Sequence, residues 1–174
     1  YSNLDTYMPD RYKEGYGISR AGVDYAAETG VRLVIVLDCG IKAVEEIAYA
    51  RSLGIDFIIC DHHVPGLELP PAVAILNPKR LDNHYPYAHL SGCGVGFKFM
   101  QAFAISNGIE FNKLIPLLDL CAVSIAADIV PIMGENRILA WHGLRCLNTN
   151  PSIGLQAIIA VCGLTQHDAT MNDI

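Results

Sequence analysis

Apolar and polar positions along the first half of the chain fall into short blocks whose period changes from one block to the next. Residues 31–37 (VRLVIVL) are β-rich and apolar on both faces, which predicts a buried parallel strand. Residues 41–53 (IKAVEEIAYARSL) place apolar side chains at 41, 44, 47 and 48 with charge opposite, the pattern of an amphipathic helix, and Gly54 stops it. FIIC (57–60) predicts a second buried strand, and AVAIL (72–76) a third. LDTYM (4–8) predicts a short strand ahead of the turn-like PDRYKEGYG. Strand, helix and strand within about thirty residues make a βαβ unit, hence a parallel sheet with a right-handed crossover.

From Gly92 onward the pattern is helical. Helices are predicted near 93–107, 112–129, 136–148 and 153–162, with breaks at Asn107-Gly108, Pro131 and Asn150-Pro151. The expected fold class is therefore α/β: a parallel β-sheet with flanking helices over residues 1–90, followed by a mainly helical part over 91–174. At 174 residues the chain suits one domain better than two.

Composition narrows the class. About half of the chain is apolar and 17% is charged, which excludes a disordered tail. Asp38, Asp61 and Asp128 interrupt the apolar runs before they reach membrane-spanning length, and the opening residues do not read as a signal peptide. No membrane association is expected. The absent initiator Met leads us to expect residues upstream. Six cysteines lie far apart with no C-x-x-C pair, and read as reduced core residues of a cytoplasmic protein. The net charge of −6 argues against a broad nucleic-acid-binding surface, although carboxylates that hold metal enter that sum as negative charge.

The chemistry concentrates at predicted strand ends. Asp38 directly follows the 31–37 strand, and Asp61-His62-His63 directly follows FIIC. In an open parallel sheet ligands bind at the carboxyl ends of strands. With strands about 5 Å apart, Asp38 and His62 can share one metal ion if their strands are neighbours. Alternatively, Asp38 caps the following helix and Asp61 starts a turn; two adjacent imidazoles weigh against that. Asp128 lies in LCAVSIAADIVPI, where from Leu120 to Ile132 the other polar side chain is Ser124. At helical spacing Leu117, Cys121, Ser124 and Asp128 share a face, so Asp128 is expected to end a buried stripe, as a metal ligand or bonded to backbone amides near Pro131.

Carboxylates with one imidazole suit Mn²⁺ or Mg²⁺ in phosphoryl chemistry, whereas zinc favours thiolates or several histidines. His63, next to a ligand, suits hydrogen bonding to a phosphate or proton donation to a leaving oxygen. No D-x-D occurs, so the chain supplies half of a two-metal site. Ser91-Gly92-Cys93-Gly94-Val95-Gly96 reads as tight helix packing or a backbone contact to a nucleic-acid phosphate. It lacks the preceding strand that a dinucleotide fingerprint requires, and no nucleotide cofactor is expected. His84, His89, His142 and His167 read as surface or core residues.

These pieces together resemble the DHH phosphoesterase superfamily and, within it, the RecJ exonuclease family. The matching residues run in order: Pro9-Asp10-Arg11 with Glu14-Gly15-Tyr16-Gly17, Asp38-Cys39-Gly40, Asp61-His62-His63, Ser91 to Lys98, and Ala127-Asp128-Ile129-Val130-Pro131 leading to Glu135-Asn136-Arg137. DHH alone is a weak tripeptide, but this order and spacing is specific. The resemblance implies a single DHH catalytic domain, truncated at both ends, with Asp38 bridging two Mn²⁺ or Mg²⁺ ions. It also implies that His62 and Asp128 complete one of them, His63 contacts the scissile phosphate, and Arg11 holds a 5′ phosphate. The implied activity is metal-dependent 5′→3′ hydrolysis of single-stranded DNA in recombination and repair. The family's first, Asp-rich motif would lie upstream of Tyr1, and further DNA-gripping domains downstream of Ile174, so residues 1–174 alone are expected to be inactive or nearly so. Two rival readings are a DHH phosphodiesterase acting on short oligonucleotides or cyclic dinucleotides, and a non-catalytic DHH scaffold. The four intact residues Asp38, His62, His63 and Asp128 weigh against the scaffold.

Overall fold

A computed structural model describes residues 3–164 and 168–174, and its chain divides into two compact units, residues 1–77 and 78–174. His167 lies outside the described residues.

The first unit is built on α1 (Arg20–Glu28), β1 (Leu33–Leu37), α2 (Val44–Ser52), β2 (Asp56–Cys60) and β3 (Ala74–Leu76). The strands lie in the order β1-β2-β3, all parallel, with Val36 beside Ile59 and Ile59 beside Ile75. Strand pairing sets β1 and β2 side by side and brings their carboxyl ends level, Leu37 against Cys60. One face of the sheet is sealed. Val36, Phe57 and Ile59 pack with Val23 and Ala26 of α1 and with Ile47 and Ala50 of α2 in one apolar cluster. Each fully buried large aliphatic or aromatic side chain there is worth about 1.5–3 kcal/mol.

Several boundaries differ from expectation, each for a physical reason. Residues 4–8 form no strand. Their side chains serve as tethers instead: Asp5 accepts a bond from the Tyr25 hydroxyl, and the Tyr7 ring packs on Tyr25 with centroids 5.3 Å apart. Helix α1 was not foreseen; Ser19 caps it by accepting from the Gly22 amide. Helix α2 begins at Val44 and not at Ile41, because the Ile41 amide is engaged by the Asp61 carboxylate just past the end of β2. Strand β1 is not apolar-buried on both faces: Leu33, Ile35 and Leu37 remain 46–59% exposed, opposite the sealed side.

The second unit is helical: α3 (Gly92–Ser106), α4 (Leu118–Ala127), α5 (Gly134–Thr149) and α6 (Ile153–Val161). The helix expected over 112–129 is divided into two 3-10 turns, Phe111–Lys113 and Ile115–Leu117, followed by α4. Pro116, in the first turn of the second of these, has no amide hydrogen for an α-helical bond. Helices α4 and α5 approach so closely that a Cβ at Gly143 would run into the Leu118 carbonyl and lie 2.7 Å from Ala122 Cβ. The fully buried Asp119 ties α4 to the start of α6, accepting from the Leu120 amide at 2.6 Å and the Ser152 amide at 2.7 Å.

Candidate metal centre

At the carboxyl end of β1 the Asp38 amide still donates to the Cys60 carbonyl at 2.8 Å, as a further rung of the ladder. The backbone then turns into the left-handed region, φ 64° at Asp38. The Asp38 carboxylate ends 3.3 Å from Nε2 of His62, which is buried beyond the end of β2. His63 stands next to it, exposed, with the two imidazole centroids 4.7 Å apart. Asp38, His62 and His63 each offer one ligand atom, all within 4.8 Å of one another. Two donors on one small cation, bonded at about 2.1 Å and at right angles, lie roughly 3 Å apart. The Asp38–His62 separation fits that spacing.

Asp61 does not join this group; it organises it. Its carboxylate is buried and accepts from the Ile41 amide at 2.9 Å, the His62 amide at 2.7 Å and the His63 amide at 3.1 Å. It also lies 2.6 Å from His63 Nδ1. Burial pushes the Asp61 pKa up, but the bonds from Ile41 and from the His63 ring and amide outweigh it and hold the group below the usual carboxylate value. Asn77 completes the corner by donating to the His63 carbonyl at 2.8 Å.

The loop before α1 closes over this rim. The Tyr16 hydroxyl donates to the Asp38 carbonyl at 3.1 Å, and its ring meets His63 edge-on at 6.2 Å between centroids. The Arg11 guanidinium lies over the Tyr16 ring, 5.4 Å from its centroid. Glu14 braces the loop, accepting from the Tyr7 hydroxyl, the Ser19 hydroxyl and the Asp10 amide. Burial of Cys39, reinforced by the Asp61 and Asp38 charges, pushes its thiol up to about 11.

In the second unit, Asp128 is the residue that ends α4, and it is exposed. Ser124 Oγ donates to it at 3.4 Å, so the predicted helical face is real, but the predicted burial is not. The helix stops two residues earlier than expected, which puts Asp128 past the buried stripe of Cys121 and Ile125. Around it the chain is held by Asn136, fully buried, which donates to the carbonyls of Pro131 at 3.0 Å and His89 at 2.6 Å.

Residues 1–125 match the family model described as "DHH family, N-terminal domain". The chain belongs to the DHH family. This DHH chain is 42% identical over 162 residues to the single-stranded-DNA-specific exonuclease RecJ of Bacillus subtilis, covering 93% of this chain and 20% of that protein. It is 36% identical to the RecJ of Escherichia coli, covering 99% of this chain and 32% of the relative. Among solved structures it resembles an exonuclease RecJ bound to manganese, with TM-score 0.80 and 30% identity over 93% of this chain and 40% of that one. It also resembles RecJ from Thermus thermophilus in complex with Mn²⁺, with TM-score 0.71 and 28% identity over 83% of this chain and 21% of that one. The DHH chain thus spans about a fifth to a third of the length of these curated relatives.

Within the DHH chain, Ser91 caps α3 by accepting from the Gly94 amide at 3.1 Å, and Gly92, Gly94 and Gly96 are buried. The glycine-rich run is therefore a capped, tightly packed helix start. His84, His89 and His142 are exposed. The Cys93 and Cys121 thiols share a hydrogen bond, sulfur to sulfur 3.8 Å, and none of the six cysteines is in a disulfide; Cys60 and Cys121 are buried, whereas Cys162 is exposed. No helix among the described residues is long and apolar enough to cross a membrane. Sequence reasoning did not foresee the roles of Asp61 and Tyr16 in the site. Asp61 carried a signal: it has the parity of Phe57 and Ile59, which with Cys60 are the buried positions of β2.

Proposed function

We propose that this chain carries part of the catalytic centre of a metal-dependent 5′→3′ single-stranded-DNA exonuclease of the RecJ type. The observation that carries this reading is the Asp38–His62–His63 group at the level carboxyl ends of β1 and β2. The donor set, carboxylate plus imidazole with no thiolate, suits Mn²⁺ or Mg²⁺, and two RecJ structures that this chain resembles are bound to manganese. Asp38, His62 and Asp128 are the residues of this chain that would hold the metal.

A bound pair of such ions would supply charge neutralisation at the phosphoryl oxygens and a water of lowered pKa. The chain's own groups do the rest. His63, its Nδ1 proton committed to Asp61, presents Nε2 toward the scissile phosphate. Arg11, held over Tyr16, offers a planar fork of donors to the 5′ phosphate of the strand end. Residues 1–174 act in this reading as one DHH catalytic domain serving DNA recombination and repair in the cytoplasm, with single-stranded DNA as the partner.

Calorimetry with Mn²⁺ on the chain and its Asp38→Ala and His62→Ala variants tests the metal assignment. Binding lost in both variants places the two side chains on one ion. Binding that survives both removes the basis of the proposal. Comparing hydrolysis of a long single strand with that of a dinucleotide, by the protein carrying this chain, then separates an exonuclease from a phosphodiesterase of short oligonucleotides.

A further inference from the structure

By strand alternation, residue 38 would project with Val34 and Val36 into the apolar cluster under α1 and α2. Its φ of 64° breaks that alternation and turns the carboxylate toward His62 instead. A left-handed backbone is unfavourable for a residue with a Cβ and persists where its surroundings hold it. Two bonds to its backbone help to hold this one. The Asp38 amide is fixed to the Cys60 carbonyl of β2, and the Asp38 carbonyl is fixed by the Tyr16 hydroxyl at 3.1 Å.

Tyr16 is presented for this purpose by its own loop. It stands between Gly15 and Gly17, whose φ values of 84° and 91° are ones a side chain would resist. The preceding Glu14 is clamped by Tyr7, Ser19 and the Asp10 amide.

We propose that Tyr16 is a positioning residue: its hydroxyl latches the Asp38 carbonyl and so holds the Asp38 carboxylate facing His62. This rests on the reading of Asp38 as a metal ligand. Its role is separate from the ring's contacts with Arg11 and His63, so the hydroxyl can be removed alone.

The test compares the parent protein with Tyr16→Phe, Asp38→Ala and the control Tyr12→Phe, whose side chain is fully exposed. Two quantities are read: Mn²⁺ affinity by calorimetry, and hydrogen–deuterium exchange of the Asp38 and Cys39 amides in metal-free protein. Losing one neutral hydrogen bond predicts that Tyr16→Phe weakens Mn²⁺ about 3- to 10-fold and speeds exchange at Asp38 by a similar factor, with the melting temperature lowered by no more than about 4 °C. Tyr12→Phe should change neither. If Asp38→Ala abolishes binding while Tyr16→Phe leaves affinity and exchange as in the parent, the latch is wrong and the metal site stands. If Asp38→Ala leaves Mn²⁺ binding intact, or the parent binds none, the metal reading fails, and exchange alone decides: faster at Asp38 in Tyr16→Phe upholds the latch, unchanged overturns it. Equal acceleration by Tyr12→Phe also overturns it.

Discussion

Asp61 Oδ1 lies 2.6 Å from Nδ1 of His63, and because an ionised carboxylate can only accept, that nitrogen carries the proton. The tautomer of the exposed imidazole is thereby set by a buried acid one position before the histidine pair. In the neutral ring Nε2 of His63 is then the unprotonated nitrogen, the atom available to a phosphate-bound proton. The same carboxylate gathers the amides of Ile41, His62 and His63, so the loop after β1 and the turn after β2 share one anchor.

Replacing Asp61 by Asn should therefore do more than remove charge. An Asn oxygen can keep the contacts with Nδ1 and with the His62 and His63 amides, but its NH₂ then opposes the Ile41 amide, donor against donor, and a neutral oxygen holds the Nδ1 proton less strongly than a carboxylate. We expect Mn²⁺ affinity of Asp61→Asn to fall about 10- to 100-fold, the usual cost of losing a partner that orients a ligand. Calorimetry on purified variant and parent measures it. Affinity within about twofold of the parent would mean that the placement of Asp38 and His62 does not depend on the bonds from Asp61 to the Ile41 and His62 amides.

The pH dependence of stability carries the same signature. The folded-state pKa of Asp61 is lowered from the ordinary 3.8. A lowered carboxylate contributes stability above its unfolded value and loses it as pH falls through its folded value. In metal-free protein, the difference in unfolding free energy between parent and Asp61→Asn should be constant above about pH 5 and shrink below about pH 4. Urea midpoints at about pH 7, 5, 4 and 3 trace it. A difference that grew on acidification would contradict the lowered pKa.

The strands and most of the later helices were legible because their apolar runs are long and bounded by Gly, Pro or Asn. What escaped depended on tertiary context. Helix α1 buries only Val23 and Ala26, a stripe too narrow to stand out as a period. LDTYM reads as a short strand, yet Asp5 and Tyr7 commit their polar atoms to Tyr25 and Glu14. The pairing of Asp38 with His62 was legible from two strand ends. The left-handed turn that aims Asp38 was not, because no residue type at position 38 announces it and Tyr16, 22 residues away, helps to hold it. Asp128 was read as buried from an apolar run that continues past the actual end of α4.

Close packing in the second unit gives a stability prediction. Gly143→Ala would drive a methyl into the Leu118 carbonyl and against Ala122, so α4 and α5 must separate. Overpacking of this kind costs about 1–3 kcal/mol. Thermal melts of the metal-free protein should show a lowered midpoint. An unchanged midpoint would show that the helices move apart without loss of packing.

Arg11 provides the sharpest link between geometry and substrate. Its guanidinium rests over Tyr16, whose ring meets His63 and whose hydroxyl bonds the Asp38 carbonyl, so the cation stands one aromatic ring from the Asp38–His62–His63 group. A 5′ phosphate held there would place the first phosphodiester of the strand near His63, and removing the cation should weaken binding of the strand end without disturbing the chemical step. For the protein carrying this chain, Arg11→Ala should raise KM for 5′-phosphorylated strands roughly 10- to 100-fold, the worth of a charge-assisted hydrogen-bonded pair, with kcat nearly unchanged. Strands ending in a 5′ hydroxyl should be little affected. Arg11→Lys should fall between, keeping the charge but losing the two-pronged fork. Steady-state kinetics on the two kinds of strand end gives the ratio directly; equal loss on both would assign Arg11 to general phosphate attraction, and no loss on either would remove it from the site.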